Sequence, residues 1–243
     1  MNDKYLGEDD VDLLYNTATR IPICLCIDTS GSMNTRIEID GQRVKKIDKV
    51  IQGLKEFFNS LRNDDFLVDA AEVCILGYST EPYLVRPFKT LEEGADEEVT
   101  LVPKNKGDMG KAVFEALRLL EERKNQYKKA GRDYYQPCLV IISDGHSTGE
   151  SGHEKILRDA QAKTMEMEKN KKLTTISVFM GESWDEDEKA KKQLYGFASK
   201  NPPRPVSCAQ LPKYFQFLTK SIATSVSSTG GEYIFDFDDW DNF

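Results

Sequence analysis

The sequence predicts an α/β protein with a Rossmann-like, doubly wound sheet that is mainly parallel, with one antiparallel edge strand and helices on both faces. Two continuous apolar runs, residues 21–27 and 138–143, have the length and composition of central parallel strands buried on both faces. Segments with helical spacing of apolar residues alternate with further strand-like runs. Because parallel strands are joined by right-handed crossovers, this alternation places helices on both faces of the sheet.

The other elements follow in a regular order. Apolar residues recur at helical spacing over residues 46–62, and residues 68–78 and 83–88 indicate two strands around a turn, an antiparallel pair at a sheet edge. The charged residues 91–106 form a predicted loop. The remaining predicted elements are a helix at 109–127, the second apolar strand, a helix at 154–169, a strand at 173–180, a helix at 185–199, a short strand near Val206 and a helix at 212–226.

Length and composition predict one domain with short terminal extensions. The chain has 243 residues, of which 39% are hydrophobic and 30% charged, a composition typical of a globular protein. We therefore predict an N-terminal extension at residues 1–20 and a single domain at residues 21–226. A flexible linker and an acidic, aromatic tail follow at residues 227–243.

Charge and cysteine content restrict the partners and the compartment. The formal net charge of -8 argues against nucleic acid or an anionic membrane as the main partner, because both would be repelled. No apolar run approaches the roughly 18 residues needed to cross a bilayer. Residues 1–12 are acidic where a secretory signal would be basic and then apolar, so we expect a cytoplasmic protein. The five cysteines mostly lie in strand-like runs, which indicates buried thiols in a reducing compartment.

Two aspartates follow the two buried strands at the points where those strands end. Asp28 opens the segment DTSGS, residues 28–32, in which Ser30 and Ser32 offer hydroxyl oxygens, and Asp144 follows the second strand. Ligands of open parallel sheets bind at the carboxyl ends of strands, where the strand order reverses. Hard oxygen donors without thiolates or an imidazole cluster favour Mg²⁺, Mn²⁺ or Ca²⁺.

An ordinary strand-to-helix turn is the plainer interpretation of the DTSGS segment. In such a turn, Asp28 and the two serines would simply accept hydrogen bonds from nearby backbone amides. Two aspartates at the ends of two separate buried strands, both placed to share one switch point, favour a metal or ligand site instead.

These residues closely resemble the von Willebrand factor A family, whose metal-ion-dependent adhesion site has the pattern Asp-x-Ser-x-Ser, a distant threonine and a distant aspartate. Asp28, Ser30 and Ser32 match the first part, and Asp144 in LVIISDG matches the last. The segments EPYLVRPFKTLEE and GKAVFEAL are similar to a compact intracellular bacterial branch resembling the tellurium-resistance protein TerY. The resemblance covers residues 21–226 and implies that Ser30 and Ser32 bind the metal directly.

One ligand of that adhesion site is missing from the sequence. The family usually has threonine three residues before the glycine that opens the second helix, and aligning that glycine with Gly110 places Gly107 at the threonine position. Asp108 would supply a carboxylate in its place, directly or through water, after a shift of one residue in register. The alternative is a site without metal, in which the ammonium of Lys104 or Lys106 lies among the aspartates.

The resemblance implies a binding module and not an enzyme. In the family, the protein leaves one metal position for an Asp or Glu carboxylate of the partner. A divalent ion flanked by Asp28 and Asp144 is roughly neutral, so an incoming carboxylate gains a strong ionic contact in a partly desolvated groove. Relatives in this branch are associated with stress-response or defence systems beside protein kinases and PP2C-type phosphatases, so such partner proteins are expected.

Further residues at this edge are candidates for shaping the loop or meeting the partner. A lone loop histidine such as His146 is often just a solvated side chain. The alternative is that His146 forms a hydrogen bond with Asp144 or contacts the partner. The candidates near the metal are Thr29, Gly31, Gly107 and His146.

The C-terminal residues EYIFDFDDWDNF combine five acidic residues with aromatic ones, which is unusual for a purely solubilising tail. One interpretation is that the aromatic residues fold back on the domain, for example as an edge strand. The other is a docking peptide whose aromatic side chains enter a groove of a partner. The residues concerned are Tyr233, Phe235, Phe237 and Trp240.

Two other functions remain as alternatives. A phosphohydrolase of the haloacid dehalogenase type also has an aspartate after its first buried strand, but its chemistry needs a second aspartate two residues later, where Ser30 stands here. A metal-free scaffold would keep the fold and lose the site. Neither a phosphate-binding glycine loop nor a pairing of nucleophile and base is indicated by the sequence.

Overall fold

A computed structural model of the chain describes residues 17–91, 99–104, 106–181, 184–197, 200–229 and 240. The strands are β1 (Ile21–Asp28), β2 (Arg36–Ile39), β3 (Gln42–Lys45), β4 (Ala71–Tyr78), β5 (Pro82–Lys89), β6 (Cys138–Ser143), β7 (Thr174–Met180) and β8 (Arg204–Val206). The α-helices are α1 (Lys46–Arg62), α2 (Leu67–Ala70), α3 (Met109–Ala130), α4 (His153–Lys169), α5 (Glu188–Tyr195) and α6 (Leu211–Thr229).

Six strands form the main sheet, in the order β5-β4-β1-β6-β7-β8. Strand β5 is antiparallel to β4, and the other neighbouring strands are parallel. This arrangement confirms the predicted fold class, including its antiparallel edge strand. Strands β1 and β6 lie side by side at the centre, so the loops that follow them meet at one edge of the sheet.

Successive residues of β1 point into two hydrophobic cores, one on each face of the sheet. Ile23 and Leu25 belong to the core formed with α1 and α6, whereas Cys24 and Cys26 belong to the core formed with α3, α4 and α5. Both faces of β1 are therefore covered, which explains why its sequence is apolar throughout.

The first part of the predicted strand at 68–78 is helical in the structure. Residues 67–70 form the short helix α2, and β4 begins at Ala71. The Oδ1 atom of Asp64 accepts hydrogen bonds from the amides of Phe66 (3.0 Å) and Leu67 (2.9 Å), which stabilises the first turn of this helix. The apolar run alone could not distinguish this helical turn from a strand.

Strands β2 and β3 form a hairpin between the loop after β1 and helix α1. This hairpin is not among the elements predicted from the sequence. Asp40 and Gly41 form its two-residue turn, and both have positive φ angles, 50° and 76°. Asp-Gly is a strong sequence signal for this turn, so the hairpin was predictable in principle.

Described structure is present at both ends of the predicted domain. At the N-terminal side, the side chain of Arg20 is fully buried, with its Nε atom 3.3 Å from Oε1 of Glu72. At the C-terminal side, α6 continues to Thr229, so the first three residues of the predicted linker are helical. None of the helices within the described ranges is long and apolar enough to cross a membrane.

Candidate functional site

The carboxylate of Asp28 lies at the end of β1 and is fully buried. Its Oδ1 atom accepts a hydrogen bond from the amide of Ser30 (2.7 Å), and its Oδ2 atom accepts one from the hydroxyl of Ser143 (2.7 Å). Burial and the negative charge of Asp144 raise the pKa of Asp28 to about 6, although these hydrogen bonds act in the opposite direction. Burial and the charge of Asp144 therefore disfavour the ionised form of Asp28, and a cation at this site would stabilise it.

Two serine hydroxyls stand beside this carboxylate. Ser30 and Ser32 flank the exposed Gly31 at the start of a turn of 3-10 helix, and their Oγ atoms are 3.0 Å apart. Ser30 is buried, whereas Ser32 is exposed. The hydroxyls of Ser30 and Ser32 therefore lie together, that of Ser30 below the surface and that of Ser32 at the surface.

Asp144 supplies the second carboxylate, immediately after β6. Its Oδ1 atom is buried and has no hydrogen-bond partner among the residues that the structure describes, while its Oδ2 atom lies 3.6 Å from Nζ of Lys46. A buried acceptor without a donor is costly unless a ligand completes its bonding. The described part of the chain contains no cluster of three or more His, Cys, Asp or Glu side chains suited to a metal, so hydroxyls must complete any ligand set here. Two carboxylates with two hydroxyls fit a hard divalent cation.

Gly107, which the resemblance aligns with the family's threonine, lies beside Ser30 and Asp28 in the structure. A Cβ atom at Gly107 would be 3.2 Å from Cβ of Ser30 and 3.5 Å from Oδ1 of Asp28. A hydroxyl-bearing side chain at position 107 would therefore reach the site.

Asp108 has a different environment from the other candidate ligands. Its Oδ1 atom accepts a hydrogen bond from the amide of Lys111 (3.1 Å), so its carboxylate caps the N-terminus of α3. Its Oδ2 atom packs against Gly149, where an added Cβ would be 2.7 Å away. Metal binding by Asp108 remains a prediction, and it would compete with this cap.

Thr29 is fully buried and holds the loop in place. Its hydroxyl donates to the carbonyl of Tyr78 (2.8 Å), and its carbonyl accepts from the amide of Lys104 (2.7 Å). A side chain in this position fixes the geometry of the loop and is not accessible to a partner. Of the two predicted roles of Thr29, the structure supports shaping the loop.

Lys46 lies next to Asp144, and the sequence pattern does not predict this contact. Lys104 and Lys106, the candidates for a substitute cation, are both exposed. Lys46 is the first residue of α1, where the dipole of the helix disfavours a positive charge. The proximity of Lys46 to Asp144 offsets that cost. No local sequence pattern indicates this contact.

His146 is paired with an acidic residue from a different element. Its Nε2 atom lies 2.8 Å from Oδ2 of Asp187, the N-cap residue of α5. Burial acts in the opposite direction, but the amide of Ala190 and the ring of His146 lower the pKa of Asp187. The histidine therefore joins the loop after β6 to α5, at the edge of the site.

Trp240 contacts the domain itself. Its ring packs edge-on against Tyr214 and Phe217, with centroid distances of 5.5 and 5.6 Å, and Nζ of Lys213 lies 5.6 Å from its ring centre. This contact matches the interpretation in which the tail folds back. The other three aromatic candidates of the tail, Tyr233, Phe235 and Phe237, lie outside the described residues.

The sequence profile of the von Willebrand factor type A domain matches residues 23–146, which include Asp28 and Asp144. No curated protein sequence matches the chain.

Several solved structures share the fold. The PilB minor pilin from Streptococcus sanguinis has a TM-score of 0.59 at 13% identity, over 88% of this chain and 64% of the pilin. The von Willebrand factor domain of the type V pili tip protein Mfa5 from Porphyromonas gingivalis has a TM-score of 0.59 at 12% identity, over 86% of this chain and 97% of that domain.

A third structure is proximal thread matrix protein 1 from the mussel byssus, with zinc in its metal-ion-dependent adhesion site (MIDAS) motif. It has a TM-score of 0.51 at 15% identity, over 86% of this chain and 49% of that protein. The chain thus spans less than two thirds of the length of the pilin and of the thread matrix protein. At these identities the likeness concerns the fold.

Proposed function

The chain belongs to the von Willebrand factor type A domain family, and we propose that it is a non-enzymatic module that binds partner proteins through a divalent metal ion. The observation that carries this proposal is the pair of buried carboxylates at the ends of β1 and β6. Asp28 has a raised pKa because of burial and the charge of Asp144, and Asp144 has a buried oxygen that no donor in the described part of the chain reaches. Both features are costly in the free protein, and both are relieved by a bound cation.

Asp28, Ser30, Ser32 and Asp144 would hold the metal. Their hard oxygen atoms favour Mg²⁺, with Mn²⁺ or Ca²⁺ as alternatives, although the mussel thread protein holds zinc in the corresponding motif. The bound ion would supply a Lewis-acidic position for a carboxylate from outside. Ser143 would orient Asp28 through its hydroxyl.

The partner is a protein that presents an Asp or Glu side chain to this site. On the resemblance to the TerY-like bacterial branch, we propose a stress-response or defence complex in the cytoplasm, with a protein kinase or a PP2C-type phosphatase as partner. All five cysteines are buried thiols, which fits a reducing compartment. The net charge of -8 argues against nucleic acid and membrane surfaces as partners.

The site offers little support for catalysis. Ser30 occupies the position where a haloacid dehalogenase would need its second aspartate. The two histidines have other partners, since His146 pairs with Asp187 and the Nδ1 atom of His153 lies 2.9 Å from the carbonyl oxygen of Glu150. Neither is placed as a general base for Ser30 or Ser32.

A metal-free scaffold is the second candidate, and two observations favour it. Lys46 already supplies a positive charge next to Asp144. Gly107 stands where the family has threonine, so the hydroxyl of that ligand is missing. In this case the fold would bind partners without the ion.

Metal titration followed by thermal unfolding separates these two candidates. We expect Mg²⁺ or Mn²⁺ to raise the melting temperature of the wild type and of Asp159→Ala, a matched change at an exposed position of α4. Asp28→Ala should abolish the rise. Equal shifts in wild type and Asp28→Ala would exclude metal binding at this site and leave the scaffold.

Partner binding needs a separate measurement. In pull-downs with Mn²⁺, we expect partners that are retained by wild type and Asp159→Ala but lost with Asp28→Ala or EDTA. Measurable phosphatase turnover that Asp28→Asn abolishes would instead establish an enzyme.

A further inference from the structure

A groove with a volume of about 630 Å³ begins at the metal site and runs along the hairpin of β2 and β3. Asp144 and Lys46 belong to both the site and the groove, so the two are continuous. Its volume lies within the roughly 300–1,000 Å³ typical of ligand sites. The lining also includes exposed residues of the hairpin, so the groove is open to solvent there.

The middle of the groove is apolar. Ile37 and Ile39 alternate along β2, so their side chains lie on the same face of the hairpin, and both are partly buried against the core. Phe179 and Gly181 at the end of β7, with Cys208 and Ala209, complete this apolar lining. A large apolar side chain placed here would lose water-exposed surface on several sides.

The charges at the two ends of the groove differ. At the site end, a divalent ion would balance Asp28 and Asp144, and Lys46 would add one positive charge. At the hairpin end, Asp40 in the turn lines the groove and carries negative charge. A carboxylate is therefore attracted to the site end and repelled from the hairpin end.

We propose that this groove binds a segment of the partner protein in which an acidic residue stands directly beside a large apolar residue. The carboxylate takes the open metal position next to Lys46, and the apolar side chain lies against Ile37, Ile39 and Phe179. The proposal rests on the proposed function and deepens it, because it gives the site a sequence preference beyond a single carboxylate.

An array of synthetic peptides tests this proposal. Each peptide carries one central Asp or Glu, and all twenty residues are placed in turn before and after it. Binding of the tagged wild type is measured in Mn²⁺ and in EDTA, beside Ile37→Ser, Ile39→Ser and Asp28→Ala. Met165→Ser is the matched control, since Met165 is an exposed apolar residue of α4 outside the groove.

We expect peptides with Leu, Ile, Phe, Tyr or Trp beside the acid to bind about tenfold more strongly than those with Ser. The hairpin variants should lose this preference while keeping the thermal shift with Mn²⁺, and Met165→Ser should keep both. Asp28→Ala should lose all binding that depends on Mn²⁺.

The outcomes separate this proposal from the proposed function. Acid- and metal-dependent binding without preference for an apolar neighbour, or with a preference that both hairpin variants retain, overturns the groove and leaves the metal module intact. Binding that needs neither acid nor metal, or no binding to any peptide, overturns both proposals. Self-association that depends on residues after Ser228 and is displaced by the peptides would assign the groove to a second copy of this chain instead.

Discussion

The ammonium of Lys46 lies 3.6 Å from Oδ2 of Asp144, so a cation of the protein itself contacts a carboxylate that would hold the metal. A divalent ion must bind against this positive charge. We therefore expect Lys46→Met to increase the affinity for Mn²⁺ by roughly tenfold, about 1.4 kcal/mol. Isothermal titration calorimetry measures this change in Mn²⁺ affinity.

Lys55→Met provides the control for this prediction. Lys55 is an exposed residue further along the same helix, so its removal changes net charge equally but should leave Mn²⁺ affinity near that of the wild type. Weaker binding by Lys46→Met would mean that Lys46 supports the metal site and does not compete with the ion.

Gly107→Thr should strengthen metal binding by supplying the missing hydroxyl. A Cβ atom at this position would lie 3.5 Å from Oδ1 of Asp28, and Ser30 would have to move by a few tenths of an ångström to admit it. We expect about tenfold higher Mn²⁺ affinity by calorimetry. Gly107→Val has the same shape without the hydroxyl, so it should give no gain; an equal gain in both variants would show that the hydroxyl is not a ligand.

The pKa of about 6 at Asp28 predicts how stability without metal depends on pH. An unfolded aspartate titrates near 3.9. Because burial and Asp144 raise the folded value, the free energy of unfolding falls as the pH rises from about 4 through about 6. At pH 7 the buried charge costs about 3 kcal/mol, and Asp28→Asn should recover it.

Urea unfolding in EDTA between pH 4 and pH 7 tests this expectation. Asp28→Asn should flatten the profile, whereas Asp159→Asn, at an exposed position, should reproduce the wild-type slope. A stability difference between Asp28→Asn and the wild type that does not grow with pH over this range would be inconsistent with a raised pKa at Asp28.

The central strands and the aspartates after them were predictable because burial on both faces leaves a local mark in the sequence. The apolar run of β6 and the position of Asp144 after it required no knowledge of distant contacts. Gly107 could also be placed at the site, through the spacing of a family motif.

Contacts between distant segments could not be predicted in the same way. Lys46 meets Asp144, and His146 meets Asp187, only after the sheet has brought their loops together. The groove likewise depends on the packing of a hairpin beside β7. Asp64 is a local feature by contrast, because its side chain accepts hydrogen bonds from the amides of Phe66 and Leu67 where α2 begins within an apolar run.

Gly145 should not tolerate a side chain. Its φ angle is +89°, which favours glycine, and an added Cβ would lie 2.3 Å from Cβ of Ala190. We expect Gly145→Ala to lower the free energy of unfolding by roughly 2 kcal/mol or more, measured by urea unfolding. Gly131→Ala adds the same methyl group at positive φ but in open space, so it should cost less. Equal losses would show that backbone strain, and not contact with α5, limits position 145.

Trp240→Ala tests whether the tail docks on its own domain. The ring contacts Tyr214 and Phe217 edge-on, and Lys213 lies over its face. Removing this partly buried ring should lower the free energy of unfolding by about 1–2 kcal/mol, and Trp240→Phe should retain much of the contact. Both values follow from urea unfolding. If Trp240→Ala leaves stability unchanged but weakens the pull-down of partners, the aromatic tail acts on a partner and not on α6.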